Sequence, residues 1–114
     1  MKENTIDFII EKIETSIWKT QIKIVFPKLE QFRKDFIQKY QNRLKLKLPV
    51  MSSNGDRVDN ISELEIGQLY YICHSNKIAE KADLDMLKKM KDARNKLAHL
   101  NIISYQEMTV LGIL

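Results

Sequence analysis

The sequence predicts an all-α protein, a four- or five-helix up-and-down bundle that occupies residues 1–114 as a single domain. Three observations carry this. The chain has 114 residues, fewer than the roughly 150 that make a typical domain, yet enough to bury a core without disulfides or metal. With only 3 Gly and 2 Pro, it lacks the turn punctuation of a β-sandwich or barrel. Its 44% hydrophobic and 30% charged residues exceed what a disordered chain carries, and the apolar ones recur every three or four positions.

The first helical segment runs from about Asn4 to Leu48. Asn4 or Thr5 is placed to cap it, and Ile6, Ile10, Ile13 and Ile17 follow at helical spacing. The stripe then resets to Ile22, Val25, Leu29, Phe32, Phe36, Tyr40 and Leu44. Pro27 falls inside this pattern and predicts a kink or break near Val25–Phe26, giving two helices or one bent one. Residues Pro49 to Asn60, with Ser52-Ser53-Asn54-Gly55-Asp56, read as a loop. Ser62 and Glu65 have capping-box spacing and predict the start of the next helix, with Leu64, Ile66, Leu69, Tyr70 and Cys73 as its apolar face. His74-Ser75-Asn76 closes that helix. Asp83 is placed to cap the following one, whose core stripe is Met86, Met90, Ala93, Leu97 and Leu100. A second capping box, Ser104 to Glu107, opens a last short helix carrying Met108 and Leu111, and the apolar run Val110 to Leu114 either packs on the bundle or leads into further chain.

Composition limits function as well as fold. The single cysteine, Cys73, excludes an internal disulfide and a cysteine-rich zinc site, and with two histidines in all it argues against any metal centre. A reducing, cytoplasmic setting follows. No apolar run approaches the roughly 20 residues of a membrane span, and no signal-peptide core is present, so a membrane is not an expected partner. Gly-rich phosphate loops, nucleophile elbows and the other usual enzyme signatures are absent, and no cofactor is expected. The net charge is +4, and it is concentrated: between Lys19 and Lys47 nine basic residues stand against two acidic ones. Such a stripe attracts polyanions, although a solvated helix face that keeps the chain soluble has the same composition.

One stretch combines the groups that chemistry needs. Lys91, Arg94, Asn95 and His99 share one side of the fourth helix, opposite Met90, Ala93, Leu97 and Leu100. Asn95 and His99 are four apart and stack one above the other, whereas Arg94 and His99 are five apart, about 140° around an ideal helix. They flank one groove only if the helix frays at His99 or a second copy meets the first around a two-fold axis. Histidine titrates near neutrality and suits general acid or base work, and arginine offers a permanent charged fork to phosphate oxygens. Together they fit metal-free RNA cleavage by the 2′-OH, with Asn95 positioning the ribose or phosphate and DNA inert. The structural alternatives are equally definite: a histidine at a helix C-terminus complements the macrodipole, and an arginine pairs with a nearby acid.

Arg94-Asn95-Lys96-Leu97-Ala98-His99 resembles the signature of the HEPN superfamily, an arginine followed after four to six residues by histidine, commonly with a polar residue after the arginine. More weakly, Trp18-Lys19-Thr20-Gln21 through Phe26-Pro27 to Glu30 and Arg33, with Leu64-Glu65-Ile66-Gly67, is similar to HEPN tails fused to bacterial NTPases. The resemblance implies a four- or five-helix bundle that forms a homodimer with the motif at its interface. It also implies a metal-independent endoribonuclease with Arg94, Asn95 and His99 as catalytic residues, in a toxin or phage-defence role. Lys91, Lys96, Lys19 and Lys23 would then bind the RNA strand, and an antitoxin or a fused regulatory domain would be a further partner. Some members only bind or dimerise, so a non-catalytic module is the alternative. Members regulated by a partner nucleotidyltransferase carry Tyr two residues after the His; Asn101 stands there in this chain, which argues against that control. His74 is expected at the surface, Trp18 and the Phe26, Phe32, Phe36 series in the core or a dimer interface, and Tyr105 packed. Glu30 is expected to pair with Arg33 or Lys34, and Cys73 to be a small buried hydrophobe.

Overall fold

The structure, a computed structural model, describes residues 2–113. It is an all-α bundle: α1 (Lys2–Lys45), α2 (Ile66–Asn76), α3 (Lys81–Ala98) and α4 (Tyr105–Val110). A minimal antiparallel hairpin of β1 (Val50–Met51) and β2 (Arg57–Val58) and one 3-10 turn at Ile61–Glu63 fill the connection from α1 to α2. Among the described residues no helix is long and apolar enough to cross a membrane. Leu114, the last residue of the expected apolar terminus, lies outside the described residues.

Helix α1 is the spine. Its 44 residues correspond to about 66 Å at 1.5 Å per residue, so it sets the 60 Å long axis of the molecule. The core stripe Val25, Leu29, Phe36, Tyr40 and Leu44 is buried as its spacing predicts, joined by Ile37. Its earlier stripe is not covered: Ile6, Ile10, Ile13 and Ile17 are all exposed, on an N-terminal stretch that overhangs the bundle.

The break expected at Pro27 is absent. The helix runs through Pro27, and non-helical dihedrals occur instead at Tyr40 (φ −111°, ψ 18°). Pro27 is exposed, so the Lys23 carbonyl that loses its partner lies on the solvent side, where water can satisfy it. A helix-interior proline still costs about 3 kcal/mol against alanine, of which up to about 1 kcal/mol is returned by the stiffer unfolded chain. Pro27→Ala is therefore expected to raise stability by about 2 kcal/mol, read as a higher denaturant midpoint at unchanged slope.

At the Tyr40 break, the hydroxyl donates a hydrogen bond to the Asp83 carboxylate and accepts one from the Glu80 N–H at 3.1 Å. Lys39 Nζ adds an ion pair to Asp83 at 2.6 Å. This use of Asp83 corrects its expected role as a cap: the N-cap of α3 is Glu80, and Asp83 sits inside the first turn, held well ionised by Lys39 and Tyr40. The start of α2 also differs from the expected Ser62–Glu65 box. Leu64 is fully buried in extended conformation before the helix begins. The helix opens three residues later, with Glu65 as N-cap donating its N–H to Gln68 Oε1 at 3.0 Å. Ser62 is held in the 3-10 turn by Asn60 Oδ1 at 3.0 Å.

Helix α3 packs against both α1 and α2, burying Leu87, Met90, Ala93 and Leu97. Leu100 departs from this stripe and is 70% exposed, because the helix stops before it. The Asn101 N–H donates to the Lys96 carbonyl at 2.8 Å and the Leu100 N–H to Leu97 at 3.2 Å. Leu100 thereby occupies the left-handed position (φ 64°) that glycine usually takes in such a Schellman closure, at a cost of about 1–2 kcal/mol. The Ser104–Glu107 capping box forms as predicted, and Met108 and Leu111 are buried. Tyr105, expected to pack, is exposed on the first turn of α4.

A buried glutamine in the middle of α1 ties that helix to the connection between α3 and α4. Gln21 donates from Nε2 to the Ile103 carbonyl at 2.8 Å and accepts from the Ile103 N–H at 2.8 Å. Both Gln21 and Ile103 are buried, so the segment between α3 and α4 is pinned to α1 by a peptide-like pair of bonds.

Candidate functional site

The placement of Arg94-Asn95-Lys96-Leu97-Ala98-His99 follows from what α3 buries. Ala93 and Leu97 enter the core, so Arg94, Asn95, Lys96, Ala98 and His99 are left exposed on the last turns. Arg94 turns toward α1 and lines a groove of about 620 Å³ together with Trp18, Phe26 and Arg33 of α1, Glu65 at the start of α2, and Ala98. The Trp18 Nε1–H donates to the Leu97 carbonyl at 2.8 Å, which fixes the indole as one wall. The lining also carries the Glu30 carboxylate, so two acids stand beside the two arginines, and Arg94 with the aromatic rings is the part of the groove that suits a planar, anionic group.

The two arginines of this groove differ in what holds them. Arg33 forms a two-bond pair with Glu30, at 2.6 and 3.0 Å, and donates to the carbonyls of Ser62 and Leu64. Its guanidinium holds the Glu30 carboxyl below its ordinary value, and it is a structural clamp between α1 and the turn before α2. Arg94 has no acid against it among the described residues. Its one partner is the Asn95 side-chain oxygen at 3.5 Å, at the limit of a hydrogen bond.

His99 occupies the C-cap of α3 (φ −97°, ψ 21°), where its N–H donates to the Asn95 and Lys96 carbonyls. Its side chain is exposed, and it is not among the residues lining the Arg94 groove. One chain therefore brings Arg94 and Asn95 together and sets His99 at the tip of the same helix, as the five-residue spacing requires.

The four lysines divide. Lys91 lies over the Tyr70 ring at 4.6 Å from its centroid and 3.9 Å from Asp92. Lys96 pairs with Glu107 at 2.6 Å and so ties α3 to α4. Lys19 and Lys23 are exposed on α1 and, by spacing, share a face with Phe26 at the rim of the groove. His74 is at the surface as expected, stacked on Tyr70 with centroids 5.5 Å apart, and Cys73 is fully buried, its thiol pushed up to about 11 by desolvation. Trp18, Phe26 and Arg33 as neighbours of Arg94 were not foreseeable from local pattern, since aromatic and basic residues seven or eight apart occur on any amphipathic helix.

The Lys96–Glu107 link carries a pH dependence whose sign is fixed. Lys96, with the Ser104 capping contacts, lowers the Glu107 pKa from its ordinary 4.5. The stabilisation is then present above the usual glutamate range and lost as pH falls through the depressed folded value. Amide exchange in α4 is expected to accelerate in that acidic window, after allowance for intrinsic exchange rates, and Lys96→Ala should remove most of the extra acceleration.

No protein-family model matches the chain, no curated protein is similar to it at a significant level, and no solved structure matches it.

Proposed function

We propose that the protein is a metal-independent endoribonuclease of HEPN type, cleaving RNA in a cleft completed by a second copy, in a defence or toxin role in the cytoplasm. The observation that carries this reading is the condition of Arg94. It is a permanent cation at the edge of an aromatic-walled groove, without an acidic partner, in a molecule whose other groove arginine is fully engaged. In the proposed reaction Arg94 neutralises the scissile phosphate and Asn95 positions it. His99 takes the proton of the attacking 2′-OH or returns one to the 5′-oxygen leaving group, and the product carries a 2′,3′-cyclic phosphate. Lys19 and Lys23 lead the strand along the Phe26 rim.

Separation of His99 from the Arg94 groove within one chain favours a second reading, a non-catalytic RNA-binding or dimerisation module of a larger regulatory or defence protein. The two are resolved by incubating the purified protein with end-labelled structured and single-stranded RNAs in EDTA. Cleavage of RNA but not DNA, with cyclic phosphate ends, is the expected result. Retarded but intact RNA supports the module instead.

A further inference from the structure

Residues 4–24 of α1 present a strip that no other described residue covers. Ile6, Ile10, Ile13, Ile17 and Ile24 recur at intervals of four, three, four and seven, which are successive a and d positions of a heptad. Thr20 takes the one vacant position, its hydroxyl donating to the Ser16 carbonyl at 2.9 Å. These isoleucines, and Ile9 beside them, are each 42–56% exposed. The strip lies about 110° around the helix from Trp18, Val25 and Leu29, so it cannot belong to the same core.

We infer that this strip is a self-association seam, on which a second copy of the chain lays the same stretch of α1 in parallel. Three observations argue for that occupant. The spacing holds over 18 residues, about 27 Å, whereas a single α-helix drifts only about 20° per heptad from that register, a mismatch that a slight supercoil absorbs. Charge bears on direction: in this register Asp7 and Glu14 stand at the e positions beside the seam, whereas Glu11, Lys12 and Lys19 lie at b and c positions, away from it. Parallel pairing sets Glu14 opposite the partner's Ile9 and brings no acid against an acid. An antiparallel pair would oppose acid to acid, with Asp7 facing Glu14 when isoleucines meet isoleucines. Area is the third observation. The six half-exposed isoleucines form a patch in the roughly 300–600 Å² range that marks contact sites on monomers. Doubled across the pair and joined by the flanking stems, it approaches the roughly 1,200 Å² at which specific interfaces begin.

A bilayer is the weaker occupant. Residues 1–24 contain four lysines and four acids, a balance without the basic excess that holds an amphipathic helix on anionic lipid. Leu100, Asn101 and Ile102 border Glu11, Glu14 and Thr15 of the overhang, so parallel pairing sets both His99-bearing ends at one level of the assembly. The seam itself rests on the overhang alone and stands whether or not the Arg94 groove cleaves RNA.

The test uses the full chain. Light scattering after size exclusion at micromolar concentration is expected to give two or more chains of 13.5 kDa each, and Ile10→Glu with Ile13→Glu is expected to give a folded monomer by circular dichroism. Because Cys73 is fully buried, single introduced cysteines report cleanly. Ile10→Cys and Ile17→Cys should each cross-link to themselves on mild oxidation, and Thr15→Cys, on the opposite face, should not. A wild-type monomer, a double variant that still associates, or oxidation that links Thr15→Cys as readily as the others would overturn the inference. So would a monomer that sediments with phosphatidylcholine or phosphatidylserine vesicles, which would assign the strip to a lipid surface.

Discussion

Replacing His99 by alanine is expected to lower RNA cleavage by roughly a hundred- to ten-thousand-fold, the range a positioned acid or base supplies, while leaving the folded state intact. The second half of that expectation rests on the structure. The His99 side chain is exposed, and the hydrogen bonds that end α3 are made by its backbone N–H and by those of Leu100 and Asn101. Alanine keeps all three. Arg94→Ala should cost a similar factor, and Arg94→Lys should recover only part of it, because an ammonium supplies charge without the planar fork. Single-turnover rates in EDTA, with the denaturant midpoint measured on the same preparations, separate the two contributions. If His99→Ala cleaves RNA as fast as wild type, the site assignment is wrong. If it unfolds earlier by more than about 1 kcal/mol, the histidine has a structural task.

The largest effect on stability is expected at Gln21. Gln21→Leu keeps approximate volume but removes both partners of Ile103 at once, leaving a buried N–H and a buried carbonyl unsatisfied. Each such group costs about 1–3 kcal/mol, so a loss of about 4 kcal/mol is expected, or a fall in melting temperature of roughly 15–30 °C for a domain near this size. A midpoint shift at unchanged slope checks it. Exchange at the Ile103 amide offers a second measure, since the variant should lose protection there before the centre of α3 does.

What was legible in the sequence was local. The Ser104–Glu107 box lies within one turn, and the Val25 to Leu44 stripe is repeated often enough to fix the buried side of α1. The Glu30–Arg33 pair needs only a three-residue spacing. The hairpin also had a sign, Asn54-Gly55 between Val50 and Val58, but two-residue strands are too short for alternation to show. The failures share a different cause. Whether Pro27 breaks a helix depends on which side of the helix faces water, Leu64 delays α2 because the core claims it first, and Leu100 leaves its stripe through a left-handed residue. At the candidate site, residue types and spacing were readable. The groove was not, because Trp18 and Phe26 stand more than 65 positions from Arg94.

The bonds from Trp18 to Leu97 and from Gln21 to Ile103 join residues 79 and 82 positions apart. Helical bundles usually fold fast because their contacts are near in sequence. Here the spine forms first in synthesis, but its anchors arrive only some eighty residues later, so closing this loop comes late and its entropy must be met before the contacts repay it. The molecule thus has the secondary structure of a fast folder with the closure of a slower one. During that interval its apolar face waits uncovered, as the burden of a chain whose first and last thirds complete each other.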